Sequence, residues 1–340
     1  MPVTQADVAR RAGVSQRTVS NVVRGFPYVS AEVVARVNEA IDALGYTPSQ
    51  AARSLRSGRS GVIQLVVPEL DVPYFAELAR GVIKCAEERG LVVLVRQTLG
   101  ERDRERDALE GSAAEYAEGT ILSAVAAVED LFPACRPRSP VVLIGERSGM
   151  GVVDHIGIDD VTASQVATRH LVDAGRHRVA FIGADVEDAL RMAAMRLQGY
   201  RDALDSAGVP ADPTLVVATK SYHRRDGEMA MADLLARDVP PDAVFCATDL
   251  LALGALRAAH ERGVRVPTDV AVIGFDGLEE GRYSVPTLST ISPDKQELAR
   301  VCVETLVRRI EERAAGADDA RPEDLPIPFE LVVRESSAAS

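Results

Sequence analysis

Residues 3–25 read VTQADVARRAGVSQRTVSNVVRG, and the spacing within this stretch decides what kind of module opens the chain. Thr4 precedes an apolar-periodic run with Asp7 three residues on, the arrangement in which a hydroxyl residue caps a helix and a carboxylate closes the capping box. A first helix is expected over 5–12. Gly13 then supplies a tight turn, Val14 an apolar staple and Ser15 a second N-cap, so that a second helix should start near Gln16 and carry Thr18, Val19, Val22 and Val23. Two short helices joined by a glycine turn make a helix-turn-helix, whose second helix normally lies in the major groove with its first side chains on base edges. The periodicity turns Gln16, Arg17, Ser20 and Asn21 outward and Val19, Val22 and Val23 toward the module's own core. Gln16, Arg17 and Asn21 are the expected base readers, and Thr4, Ser15, Thr18, Ser20, Arg24, Ser30 and Tyr46 are the other residues of the head expected to bind DNA. A third helix should follow the N-cap Ser30, run through Val33, Val34, Val37, Ile41 and Leu44, and stop at Gly45 before Tyr46 and Pro48.

The alternative for such a pattern is a small bundle whose polar face is merely solvated, and the charge distribution argues against it. The whole chain of 340 residues carries −12, yet residues 1–60 hold eight arginines and no lysine against Asp7, Glu32, Glu39 and Asp42, a net of +4. The remaining 280 residues therefore carry −16. An acidic body cannot lie along a polyphosphate, so the basic head is the part expected to touch nucleic acid. The length suits two or three domains, and 46% hydrophobic with 26% charged residues is ordinary for a globular protein. No apolar run approaches the roughly 20 residues of a membrane span, and MPVTQADVARRAG lacks a secretory apolar core, so no membrane association and a cytoplasmic location are expected. Cys85, Cys135, Cys246 and Cys302 are far apart, with no CxxC or Cys/His metal spacing, and are read as reduced and mostly buried.

From Val62 onward, short β-branched runs alternate with helical stretches: VIQLVVP (62–68), LVVLVRQ (91–97), GTILSAV (119–125), VVLIG (141–145), HIGID (155–159), VAFIG (179–183), TLVVAT (214–219), AVFCAT (243–248), VAVIGFD (270–276) and ELVVRES (330–336). Strands alternating with helices imply parallel sheets covered on both faces. Ten strands exceed one small sheet, so two open α/β lobes are expected, with a ligand cleft at the strand ends.

The run at 3–25, followed by VSAEVVARVNEAIDALGYTPSQAARSLRSGRS at 29–60, resembles the headpiece of the lactose-repressor (LacI/GalR) family of bacterial regulators. The resemblance extends with weaker identity over the body, through PYFAELARG, RLQGYRDAL, ATDLLALGAL, VAVIGFD, VPTLSTI and LVVRESS. It implies an all-α helix-turn-helix headpiece (1–48), a hinge segment (49–60) and a body (61–340) like the periplasmic sugar-binding proteins, made of two doubly wound parallel-sheet lobes. The chain would cross between lobes near residues 160, 290 and 320, giving an N-lobe of about 61–160 and 291–320 and a C-lobe of about 161–290 and 321–340. The hinge SQAARSLRS is too short to hold a helix alone. In the family, paired hinges fold only on the operator, so the resemblance makes Leu55 a minor-groove wedge, with Ala52 close to the groove floor, while Arg53, Arg56 and Arg59 suit phosphates.

The same resemblance assigns an effector pocket. Arg196 in RLQGY would clamp the effector, its guanidinium fork suiting vicinal hydroxyls or a carboxylate. Asp276, closing VAVIGFD, would accept bonds from effector hydroxyls or ring nitrogens. Tyr74 and Phe75 match ring-stacking positions on one lobe and Tyr222 an aromatic on the other. Thr248 stands in ATD where many relatives have Asn, Asp249 beside it reads as a helix N-cap, and Leu190 and Met192 replace polar groups of a purine-responsive relative, which argues against a purine. Asn21 and Arg24 depart from the lactose repressor's own recognition helix, so its operator does not carry over.

The sequence contains no GxxxxGK[ST] loop, no GxGxxG after a strand, no HExxH and no GxSxG, and His155 and His177 read as structural or solvated. The expectation is therefore a non-enzymatic regulator, most simply a repressor. Its partners are a palindromic double-stranded DNA operator, a small polar effector such as a sugar, and a second copy of itself. No cofactor or metal is expected. A tail ending in RESSAAS without leucine heptads points to a homodimer rather than a tetramer.

Overall fold

The computed structural model describes residues 3–23, 26, 28–46, 59–126, 128–132, 137–145, 151–185, 191–317 and 321–338. The chain divides into two compact units, Met1–Gly61 and Val62–Ser340.

The first unit contains α1 (Gln5–Ala12), α2 (Gln16–Val23) and α3 (Ala31–Leu44). The Thr4 N–H and hydroxyl both donate to the Asp7 carboxylate, at 3.0 and 2.6 Å. These bonds to the charged form hold that carboxyl below the ordinary aspartate range. Gly13 ends α1 at φ +64°, a left-handed conformation that a side-chain-bearing residue adopts only with strain. The Ser15 hydroxyl accepts from the Thr18 N–H at 3.1 Å and so caps α2. Val8, Ala9 and Ala12 of α1, Val19 of α2, and Val37 and Ala40 of α3 form the core, with Val22, Ile41, Leu44 and Tyr46 packed against it.

Two side chains of α2 depart from the expected pattern: Ser20 is buried, and Val23 is 37% exposed. Val19 and Val22 already fill the core-facing stripe, so Val23, in the last turn, falls beyond it. The one-carbon side chain of Ser20 lies below its longer neighbours. Arg24, and Ala52, Arg53 and Leu55 of the expected hinge, lie outside the described residues.

Among the described residues, the second unit holds two six-stranded sheets. The first, in the order β11-β5-β4-β3-β1-β2, is built from β1 (Val62–Val67), β2 (Val92–Gln97), β3 (Thr120–Ser123), β4 (Val141–Ile144), β5 (Asp154–Gly157) and β11 (Asp324–Pro326). The second, in the order β12-β10-β9-β8-β6-β7, is built from β6 (Val179–Asp185), β7 (Val216–Thr219), β8 (Ala243–Cys246), β9 (Ala271–Phe275), β10 (Ser289–Pro293) and β12 (Phe329–Val332). Among the described residues, every strand pairing is parallel except β10 with β12. Helices cover both faces, which is why β4 and β8 are apolar at every position and buried throughout. Ile63, Leu65 and Ile121 centre one core, and Phe181, Phe245 and Ile273 the other.

The chain passes between lobes three times, at 158–159, at Asp294 and at 327–328. These passages are bonded side by side: the Asp294 N–H donates to the Pro328 carbonyl at 3.0 Å and the Ile327 N–H to the Gly157 carbonyl at 2.8 Å. The expected boundaries near 290 and 320 both move later. β10 belongs to the C-lobe sheet, and β11 adds an edge strand to the N-lobe sheet. Both strands are short and carry proline, β11 as an edge, so backbone pairing rather than a side-chain pattern defines them.

Candidate functional site

In the first unit, Ser15, Gln16 and Arg17 lie exposed together at the start of α2, with Thr18 and Asn21 half-buried beside them. The N-terminal end of a helix presents unsatisfied N–H groups, and this one adds a guanidinium, a carboxamide and a hydroxyl, all able to meet phosphates or base edges. Thr4 and Ser30 are exposed at the starts of α1 and α3, whereas Tyr46 packs on the core. Ser20, expected to face outward as part of the DNA-binding set, does not join this surface, because it is buried.

In the second unit, a cavity of about 330 Å³ lies between the lobes, and all six expected pocket residues, Tyr74, Phe75, Arg196, Tyr222, Thr248 and Asp276, line it. The strands deliver their C-terminal ends to it: Glu69 follows β1, Leu99 follows β2, Val125 follows β3, Tyr222 follows β7 and Asp276 follows β9. This is the crevice that a doubly wound sheet leaves open by its topology.

Arg196 lies on the helix Arg191–Ser206 and is only 4% exposed. Its Nε donates to Asp160 Oδ1 at 2.7 Å, its Nη1 donates to the Ala247 carbonyl at 2.6 Å, and the guanidinium stacks 3.5 Å from the centroid of the Phe275 ring. Nη1 is 3.6 Å from Asp276 Oδ1, close enough for charge pairing and too long for a good hydrogen bond. Asp276 itself holds φ +119°, a strained conformation for a residue with a side chain. Opposing tethers keep it there. Its N–H donates to the Ile291 carbonyl at 2.9 Å, and Lys295 Nζ donates to the carbonyls of Asp276 and Gly277 at 2.6 and 2.8 Å.

Thr248, not Asp249, is the N-cap of the helix Asp249–Glu261: its hydroxyl accepts from the Leu251 N–H at 3.2 Å. Asp249 is the first helical residue, fully buried, and accepts from the Thr290 hydroxyl and the Leu278 N–H, each at 2.7 Å. Burial first, and the charge of Asp276 second, push its carboxyl well above the ordinary range. Asp249 thus supports the loop that begins at Asp276 from behind.

Side-chain contacts bridge the lobes. Glu77, paired with Lys295 at 2.8 Å within the N-lobe, accepts from the Glu279 N–H of the C-lobe at 3.2 Å. His223 of the C-lobe lies 3.2 Å from Glu69 of the N-lobe, and both line the cavity. The sequence reading singled out none of Glu69, Leu99, Val125, Lys220 or His223 as pocket residues. All five follow C-terminal strand ends, so the topological rule for α/β crevices was the signal that finds them. Met192 also lines the cavity, while Leu190 lies outside the described residues.

His155 bonds to the Gly145 carbonyl and pairs with Asp324 at 3.4 Å, joining N-lobe strand ends. Cys246 and Cys302 are buried, and burial pushes both thiols up; Cys135 lies outside the described residues. Among the described residues, no cluster of three or more His, Cys, Asp or Glu side chains is placed to hold a metal ion, and no helix is long and apolar enough to cross a membrane.

Comparison with known proteins places both units. Residues 4–49 match the model of bacterial regulatory proteins of the lacI family, and residues 168–337 match a periplasmic binding protein-like domain. The ribose operon repressor of Escherichia coli strain K12 is 33% identical over 309 residues, covering 90% of this chain and 93% of the repressor. Among solved structures, a LacI-family regulator from Sanguibacter keddieii DSM 10542 is 43% identical with a TM-score of 0.76, covering 82% of this chain and 99% of that one. The transcriptional regulator CelR in complex with cellobiose is 31% identical with a TM-score of 0.71, covering 98% and 99%. With a helix-turn-helix head matched at one end and relatives of this identity spanning nearly the whole chain, the protein belongs to the lacI family of bacterial regulatory proteins.

Proposed function

We propose that this chain is a cytoplasmic, non-enzymatic repressor that reads a palindromic operator as a homodimer through the exposed start of α2, and whose grip is set by a small hydroxylated molecule, a sugar, held between the lobes. One observation carries the effector half: a buried guanidinium and a carboxylate meet at one wall of a cavity whose opposite wall presents Tyr74 and Phe75. Sugars need that combination, ionic groups for hydroxyls and rings for their C–H faces. The names of relatives point the same way, one a ribose operon repressor and another a cellobiose complex. Occupancy that favours one lobe angle would alter how the two hinges of a dimer fold on DNA, and a ligand shifts that balance only by its differential affinity, typically about 1–3 kcal/mol.

Operator binding titrated against a panel of sugars tests this. At least one sugar should change operator affinity by about 5–150-fold, and Asp276→Ala should remove that change. A response that persists in Asp276→Ala would place the ligand elsewhere. On the DNA side, Arg17→Ala should cost about 1–3 kcal/mol and relax base preference at one position per half-site. A uniform loss across all sequences would instead make Arg17 a phosphate contact.

A further inference from the structure

Asp276 belongs to the C-lobe, yet half of what holds its loop comes from the N-lobe. On the C-lobe side, the N–H groups of Asp276, Gly277 and Leu278 donate to the Ile291 carbonyl, the Thr290 hydroxyl and the Asp249 carboxylate, at 2.9, 3.2 and 2.7 Å. On the N-lobe side, the carbonyls of Asp276 and Gly277 accept from Lys295 Nζ at 2.6 and 2.8 Å, and the Glu279 N–H donates to Glu77 at 3.2 Å. An ammonium carries three protons, and Lys295 has an acceptor for each: the two carbonyls and the Glu77 carboxylate at 2.8 Å. Its side chain is only 13% exposed, and it stands behind the cavity wall rather than in it.

This arrangement decides where the Asp276 carboxylate points. The peptide plane before Asp276 is pinned through its N–H to Ile291, and the plane after it through its carbonyl to Lys295. Two pinned planes fix φ and ψ, and with them the direction in which the side chain leaves the backbone. The value they impose, φ +119°, is one that a residue with a Cβ keeps only when its surroundings enforce it. Gly277, at φ +61°, lets the next carbonyl turn to the same ammonium, and a Cβ there would stand 2.3 Å from the Ser292 hydroxyl. Lys295 also lies 5.8 Å from the centroid of the Tyr74 ring, which lines the cavity from the helix Pro73–Glu87 that carries Glu77.

We propose that Lys295 is a positioning residue for the effector: it touches no ligand and acts through Asp276, whose carboxylate it holds in register with Arg196. Because Lys295 stands on the N-lobe, Asp276 is aimed correctly only while the lobes approach as they do here. An effector that bonds to Asp276 therefore favours this lobe angle through the Asp276 backbone as well as through its own contacts. The proposal rests on the sugar-effector reading above. The competing role for Lys295 is that of an ordinary partner for Glu77, which would support the fold without regard to Asp276.

The experiment is calorimetric titration of the full chain with D-ribose, D-glucose, D-xylose and cellobiose, then of its variants with whichever sugar binds. Lys295→Met should weaken that sugar by about tenfold or more, the worth of a charge-assisted hydrogen bond that is no longer aimed. Lys295→Met combined with Glu77→Gln, which leaves no carboxylate without its cation, should show the same loss and guards against a variant that fails to fold. Asp276→Asn keeps one acceptor oxygen and tolerates this φ; in that background Lys295→Met should cost less than about threefold, because the group it positions is already impaired. A merely structural lysine would lower affinity by the same factor in both backgrounds. If the factors are equal, or if both Lys295 variants bind within about threefold of the unaltered chain, the positioning role is overturned while the sugar reading stands. If the unaltered chain binds none of the four sugars, the sugar reading falls and this one with it.

Discussion

Replacing Arg196 with alanine is expected to cost the body about 3–5 kcal/mol of stability and to abolish the response to effector. The guanidinium is 4% exposed and serves Asp160, the Ala247 carbonyl, the Phe275 ring and Asp276 at once. Its removal strands two carboxylates in a poorly solvated wall, and that penalty exceeds whatever the ion pairs contribute net, since a buried pair roughly offsets its own desolvation. Arg196→Lys should recover little, because a compact ammonium can neither stack on Phe275 nor reach Asp160 and the Ala247 carbonyl together. The double change Arg196→Met with Asp160→Leu should recover part of the stability and none of the response, separating the structural role from the ligand-binding one. Urea unfolding of the full chain, followed alongside operator titration, measures both. A loss below about 1 kcal/mol would mean that the cluster is not held together by this guanidinium.

How much of this was legible in the sequence depends on whether a local pattern or a tertiary contact decided it. The caps at Thr4 and Ser15 and the turn at Gly13 are local, and the helices they bound lie where the spacing puts them. The strands that were read are β-branched runs, a signal that burial on both faces produces directly. β10 and β11 escaped because their backbone pairing, not their side chains, defines them, and the lobe boundaries shifted with them. Asp249 read as a cap because acidic residues favour helix starts, but its carboxylate is drawn inward by Thr290 and Leu278, 41 and 29 residues away. Ser20 and Val23 failed for simpler reasons: periodicity says nothing of how deep a short side chain such as Ser20 lies, and Val23, in the last turn of an eight-residue helix, falls beyond the stripe that Val19 and Val22 fill.

Gly254→Ala should destabilise the C-lobe by about 2–3 kcal/mol net, against the sign that helix propensity alone gives. Alanine in a helix interior is favoured over glycine by about 1 kcal/mol. Here, however, a Cβ on Gly254 would stand 1.8 Å from the Arg224 carbonyl oxygen and 2.7 Å from the Glu228 nitrogen, and one on Gly227 would stand 2.0 Å from the Leu251 carbonyl oxygen. The helices Arg224–Leu235 and Asp249–Glu261 therefore meet backbone to backbone, and no rotamer change can relieve either clash. One helix must move away, and the second carries Asp249 and, as its cap, Thr248, so the loop at Asp276 loses its support and effector affinity should fall together with the melting temperature. Because either alanine forces the same separation, Gly227→Ala combined with Gly254→Ala should cost little more than the worse single change. Thermal melts of the two single variants and the double test this; additive losses would show that the glycines act at independent contacts, and a rise in stability for Gly254→Ala would show that the helices have room that the geometry denies them.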